Sequence, residues 1–206
     1  MSKVTLEELE SHLWESANIL RGSIDSSDYK NYIFGLLFMK RINDVFMENR
    51  QDIIEEYGKE FVDDKDFYTK SHVFVPERGR WDHIKEQTQD IGAEINKAFE
   101  ELEQENPVLE GVLTPVDFND KERLSDSVLE QLIQHYSEIQ LGNENLDDPD
   151  LLGRAYEYLI RQFADDAGKK GGEFYTPREV VELLVKILNP EEGQRVYDPC
   201  CGSGGM

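Results

Sequence analysis

The chain has 206 residues, 38% of them hydrophobic and 32% charged, enough for one large domain or two modest ones with a real core. Its 22 lysines and arginines face 44 aspartates and glutamates, and the resulting net charge of −22 repels nucleic-acid phosphates on average. This argues against sequence-independent DNA binding by the chain on its own, while an acidic body serves either as a solvated surface or as a match for a basic protein partner.

The first element is a helix. Thr5-Leu-Glu-Glu8 forms a capping box, in which the Thr5 hydroxyl and Glu8 carboxylate satisfy orphan N–H groups. Leu6, Leu9, Leu13, Ala17 and Leu20 share one face before Gly22 stops the helix. Ser26-Ser27-Asp28 starts a second helix, whose stripe of Tyr29, Ile33, Leu36, Leu37 and Phe46 suits a central core position. Lys40 and Arg41 lie within it and are read as exposed charges. The pattern weakens from Gln51 to Trp81, with a turn at Pro76-Glu-Arg-Gly79.

Helical periodicity returns at Ile91, Ile95, Ala98, Phe99 and Leu102 and ends before Asn106-Pro107. Leu129, Leu132, Ile133, Tyr136 and Ile139 mark another helix, Gly142 to Asp150 an acidic connector, and Leu152, Ala155, Tyr156, Leu159 and Phe163 a further amphipathic stripe. Residues 1–165 thus read as a helical N-terminal domain. Asp166-Ala-Gly-Lys-Lys-Gly-Gly172 reads as a flexible, locally basic linker. Thr176-Pro-Arg-Glu179 is a second capping box with Pro at the first helical position, and Val180, Val181, Leu184, Val185 and Leu188 supply an apolar face. Asn189-Pro190 ends that helix, Gly193 turns the chain, and Arg195 to Asp198 is expected to enter a sheet. Residues 166–206 therefore read as the truncated start of an α/β, Rossmann-like domain.

The only cysteines, Cys200 and Cys201, are adjacent and cannot staple distant segments. Neither they nor His12, His72, His83 and His135 have metal-ligand spacing. The longest apolar run, Tyr32 to Met39, is too short to span a bilayer, and the N-terminus has no basic-then-apolar leader. The expectation is a reduced, cytoplasmic protein with no membrane partner.

Two segments carry the chemistry. Asp198-Pro-Cys-Cys-Gly-Ser-Gly-Gly205 is an acid followed by a glycine-rich turn. Met206 follows Gly205 where a phosphate-cradling Walker loop needs Lys and then Ser or Thr. An acid at that strand tip repels a pyrophosphate but accepts hydrogen bonds from an ammonium or hydroxyl. Gly171-Gly-Glu-Phe-Tyr-Thr-Pro-Arg178 offers close backbone approach, aromatic faces for a cation and a positive helix end. Taken singly, it is also a capped helix with two core aromatics. Jointly the two segments answer the carboxylate, ammonium, sulfonium and adenosine of S-adenosylmethionine.

This pair of motifs resembles the cofactor motifs of the N6-adenine DNA methyltransferase subunit of type I restriction–modification systems. Leu13-Trp14, Ala17-Asn-Ile-Leu-Arg-Gly22 and Tyr32 to Arg41 are similar to that family's helical N-terminal domain, and Leu152 to Ile160 to its lead-in to the catalytic domain. The resemblance implies that Glu173, Phe174, Tyr175, Thr176, Pro177 and Arg178 wrap the methionine end of S-adenosylmethionine. By the same token Asp198 accepts from the ammonium, and Gly202, Ser203, Gly204 and Gly205 admit the cofactor to the backbone. It also implies a specificity subunit, a second methyltransferase subunit and a restriction subunit as partners, with DNA in the assembled complex. Lys40, Arg41, Lys169 and Lys170 are candidate phosphate contacts.

The family's catalytic tetrapeptide, Asn/Asp-Pro-Pro-Phe/Tyr, which receives a base flipped out of the duplex, does not occur in these 206 residues. No catalytic residue is therefore assigned, and the chain by itself is expected not to methylate DNA. The competing expectation is a non-catalytic interaction module that binds specificity or methyltransferase subunits.

Overall fold

The computed structural model describes residues 3–68, 73–114, 116–148, 150–167, 176, 178–199 and 201. Helix α1 (Leu6–Leu20) starts where the capping box predicts: Thr5 Oγ1 accepts the Glu8 N–H at 3.3 Å, and Glu8 returns a carboxylate oxygen to the Thr5 N–H at 2.9 Å. Leu9, Leu13, Ala17 and Leu20 are buried on one face, each leucine contributing about 1.5–3 kcal/mol by leaving water. A single 3₁₀ turn, Ser26–Asp28, leads into α2 (Tyr29–Glu56), the 28-residue central helix. The weakened periodicity after Gln51 does not end α2, because Ile53 remains buried and carries it another turn.

Beyond Gly58, which has φ of +109°, come short 3₁₀ turns at Lys59–Phe61, Lys65–Phe67 and Glu77–Gly79. Helix α3 (Trp81–Lys85) is too short to show a period, and tertiary contacts hold it: the Trp81 backbone N–H donates to Asn43 Oδ1 at 2.9 Å, and the indole N–H to Ser137 Oγ at 2.9 Å. Helices α4 (Ile91–Glu105), α5 (Asp126–Ser137) and α6 (Leu151–Ala167) follow the predicted stripes, except that Ile139 lies beyond the end of α5 and is buried there. The start of α4 is capped from a distance. Asp90 sits in the left-handed region at φ of +53°, and the Asp126 carboxylate accepts the N–H groups of Asp90 and Ile91, both at 3.0 Å.

One continuous apolar core joins α1 through α6. Phe118, from the loop between α4 and α5, is fully buried edge-on to Tyr32 and Phe99, with ring centroids 5.1 and 5.5 Å away. Its carbonyl oxygen lies so close to Gly92 that a Cβ there would come within 2.1 Å. Between α1 and α5 the His12 and His135 rings stack at 3.6 Å, and the His12 carbonyl accepts both Ser16 Oγ–H (3.1 Å) and His135 Nε2–H (2.8 Å). Burial, then the charges of His135 and Lys40, depress the His12 pKa to about 4.

Helix α7 (Arg178–Leu188) lies at the other end of the chain. No strand occurs among the described residues, where two isolated bridges (Val4 with Leu146, Arg21 with Ile24) are the β-type pairings. The expected strand at Arg195–Asp198 is irregular, with no extended neighbour among the described residues to form a ladder. No helix among the described residues is long and apolar enough to cross a membrane.

Candidate cofactor-binding segment

The chain enters this segment from α6, whose Ala155, Leu159, Ile160 and Phe163 are buried. Phe163 packs edge-on to Tyr29 at 5.5 Å and parallel to Trp14 at 6.3 Å, so α6 is tied to both α1 and α2. Glu173, Phe174, Tyr175 and Pro177 lie outside the described residues, as do Gly202, Ser203, Gly204, Gly205, Lys169 and Lys170.

Thr176 is exposed, two residues before the first turn of α7, which opens on Arg178 and carries Glu179. The helix starts within a residue of its expected place, since proline tolerates only that position of a helix. It ends at Leu188, as Asn189-Pro190 requires. Asn189 then adopts φ of +45° and Gly193 φ of +87°, and the turn is closed by Gln194 N–H donating to the Glu191 carbonyl at 3.1 Å. The turn delivers Asp198 to a partly exposed position.

Lys40 and Arg41 require a correction. Neither is the exposed charge that the sequence suggests: Lys40 is buried and Arg41 half-buried, and both head groups are engaged within the chain. Lys40 is only 2% exposed; its ammonium pairs with Asp44 one turn along α2 and lies 5.9 Å from the centroid of the Trp81 ring. Asp44 also accepts the Leu141 N–H at 2.8 Å and Asn43 Nδ2–H at 3.1 Å. Arg41 donates to the Leu141 carbonyl and, at 2.5 Å, to Asn143 Oδ1. Farther along the same helix, Glu48 accepts the N–H groups of Asn143 and Glu144 at 2.7 and 3.1 Å.

One face of α2 therefore clamps residues 141–144, the start of the acidic connector that leads to α6. Sequence periodicity located these side chains on α2 but could not place the connector over them. Another carboxylate missed by sequence reasoning is Glu103. It gathers the N–H groups of Gly111, Leu113 and Thr114 at 2.7–3.1 Å; burial pushes its pKa up, but these hydrogen bonds, with that of the Thr114 hydroxyl, together outweigh it and leave the carboxyl below its usual range. A loop folded onto a helical carboxylate leaves no pattern in sequence.

Residues 9–136 match the HsdM N-terminal domain family, and residues 147–206 match the N-6 DNA Methylase family. Among curated relatives, the type I restriction enzyme MjaIX methylase subunit of Methanocaldococcus jannaschii is 34% identical over 97% of this chain and 38% of its own length. The MpnII methylase subunit of Mycoplasma pneumoniae is 27% identical over 96% of the chain and 43% of its own length. The chain thus spans about two fifths of these relatives. A crystal structure of the type I restriction–modification methyltransferase subunit from Streptococcus thermophilus superposes with a TM-score of 0.80 at 25% identity, over 98% of this chain and 48% of that one. The chain belongs to the HsdM N-terminal domain family and corresponds to the N-terminal part of type I restriction–modification methyltransferase subunits.

Proposed function

We propose that this chain is the helical domain and first cofactor-binding segments of an enzyme that methylates adenine N6 in DNA, with S-adenosylmethionine as donor. The observation that carries this reading is the order of the two family matches, in which the N-6 DNA Methylase stretch contains both the Gly171–Arg178 and Asp198–Gly205 motifs. S-adenosylmethionine supplies an electrophilic methyl group on a sulfonium. This chain's residues bind and orient it. Thr176 and the first N–H groups of α7 hold the carboxylate, Asp198 accepts from the ammonium, and Glu173, Phe174, Tyr175, Pro177 and Arg178 enclose the methionine end. Gly202, Ser203, Gly204 and Gly205 let backbone approach the cofactor.

The domain boundary is set at residues 165/166. That boundary falls in the last turn of α6 (Leu151–Ala167); the N-6 DNA Methylase match begins earlier, at residue 147, while α6 packs into the helical core through Ala155, Leu159 and Phe163. The assembled, cytoplasmic enzyme includes the specificity subunit, a second methyltransferase subunit, the restriction subunit and DNA. Because Lys40 and Arg41 are consumed internally, the helical domain works chiefly through protein contacts, as the interaction-module reading also holds.

The test is isothermal titration of the full-length methyltransferase subunit with S-adenosylmethionine. Asp198→Ala should weaken binding at least tenfold, while the 206-residue chain transfers no labelled methyl group to DNA. Undiminished binding by the variant removes Asp198 from the site, and robust methylation by the 206-residue chain overturns its assignment as a non-catalytic part.

A further inference from the structure

Between the end of α2 and Tyr68 the chain presents aromatic rings to water on a scaffold that is unusually well tied down. Tyr57 is 50% exposed and Phe61 36%; both rest on Phe67, at ring-centroid distances of 5.2 and 4.9 Å. The backbone beneath them is fixed from three directions. The Tyr68 hydroxyl donates to the Val62 carbonyl at 2.6 Å, Arg50 donates to that carbonyl at 2.9 Å, and Arg50 and Arg80 both reach the Asp63 carboxylate at 2.8 and 2.9 Å. These two guanidinium groups hold the Asp63 carboxyl below its usual pKa. Gly58 makes the sharp exit from α2 in a backbone conformation that other residues rarely adopt. Rings held at the surface by a pre-ordered loop add affinity for a partner, because little entropy remains to be lost on contact.

The chemistry around the rings selects the partner. Residues 51–66 carry seven carboxylates and two lysines. Asp52, Glu56, Tyr57, Phe67 and Tyr68 line a cleft of 60 Å³, the size of one side-chain head group, together with Asn49, whose buried Nδ2 has no hydrogen-bond partner. A broader depression nearby, lined by Glu60, Asp63, Asp64, Phe74, Pro76, Glu105 and the single cation Lys65, extends the acidic surface. Guanidinium groups stack on aromatic faces and pair with carboxylates more effectively than ammonium groups do.

We propose that this patch docks a basic segment of another protein. An arginine enters the cleft between Asp52 and Glu56, and apolar side chains lie on Tyr57 and Phe61. The proposal is independent of the cofactor reading.

The test titrates the 206-residue chain into a fluorescein-labelled twelve-residue peptide of alternating arginine and leucine, followed by anisotropy at 50 and 200 mM salt. The parent chain should bind, more tightly at low salt. Tyr57→Ser/Phe61→Ser and Asp52→Asn/Glu56→Gln should each weaken binding at least tenfold. Glu7→Gln/Glu15→Gln removes two exposed charges from α1 and should change it less than twofold. Should the aromatic variant lose its fold by circular dichroism, amide chemical-shift mapping of the parent chain replaces it, with the largest peptide-induced shifts expected between residues 49 and 68. Equal weakening by both charge-matched pairs would mean the peptide senses only net charge and would overturn the proposal. So would full binding by the folded aromatic variant, shifts centred elsewhere, or self-association of the parent chain that Phe61→Ser abolishes without any peptide binding.

Discussion

Helices α1 and α7 carry the same kind of sequence and meet opposite fates. Both open near a Thr-x-x-Glu capping pattern and both place leucines at helical spacing. In α1 the stripe is extinguished against α2, α5 and α6, with Leu13 at 0% exposure; in α7 Leu183 is 57% and Ile187 69% exposed. An amphipathic pattern specifies a helix and a surface that needs covering, but burial depends on whether a complementary surface is supplied. The bundle supplies it six times over, and for α7 no covering surface lies among the described residues. Stability should therefore reside in the bundle, and perturbations there and in α7 should differ in kind.

The largest effect is expected at the α2 clamp. Asp44→Ala leaves the Lys40 ammonium buried without its anion and the Leu141 N–H without its acceptor, a loss of about 3–5 kcal/mol by urea denaturation. Combining it with Lys40→Met should recover much of that loss, since an apolar pair of similar volume is often no worse than a buried ion pair. A double variant as unstable as Asp44→Ala would show that the Leu141 contact, rather than the charge, anchors the connector.

Next comes Gly92. A methyl group there collides with the Phe118 carbonyl, so Gly92→Ala should cost about 1–3 kcal/mol even though alanine favours helices. A stabilised variant would mean that the loop carrying Phe118 yields, and that this side of the bundle is less closely packed than the rest.

A smaller effect is expected from pH. His12 is depressed to about 4 in the folded chain, while an unfolded histidine protonates near 6.5. Between those values the unfolded state binds the extra proton, so this contribution is complete above pH 6.5 and is lost as pH falls toward 4. Allowing for its partial exposure, the loss is about 1 kcal/mol. His12→Gln, which cannot titrate, should flatten the pH dependence of the midpoint in that window. An unchanged slope would assign the acid sensitivity to the carboxylates instead.

What was legible follows from where the determining contacts lie. The capping box of α1, the stripes of α4, α5 and α6, and the Asn-Pro stop of α7 are local, and the structure reproduces them. The 3₁₀ turns and α3 are not local. Trp81 is placed by Asn43 and Ser137, and the N-terminus of α4 by Asp126 across 35 residues. Lys40 was misread for the same reason: its charge suggested water, whereas the connector about 100 residues later closes over it. The candidate site motifs stand out in the sequence because glycines, a capping pattern and an acid have chemical meaning in sequence order. Their mutual geometry depends on residues beyond the helix that bears them.

The smallest expected effect bears most directly on the comparison. Leu183→Gln and Ile187→Gln in the 206-residue chain should each change stability by less than about 0.5 kcal/mol, because glutamine is a good helix former and little apolar contact is removed. In the full-length methyltransferase subunit, where a sheet is expected to cover α7, each should cost about 1.5–3 kcal/mol, the worth of a buried aliphatic side chain. Denaturation of both proteins in parallel separates the cases. A cost above 1 kcal/mol in the 206-residue chain would mean that the stripe is already covered in solution. Sedimentation at increasing concentration would then show whether a second copy covers it. If so, the contrast between α1 and α7 is one of partner rather than of burial, and the exposed stripe is itself an assembly surface.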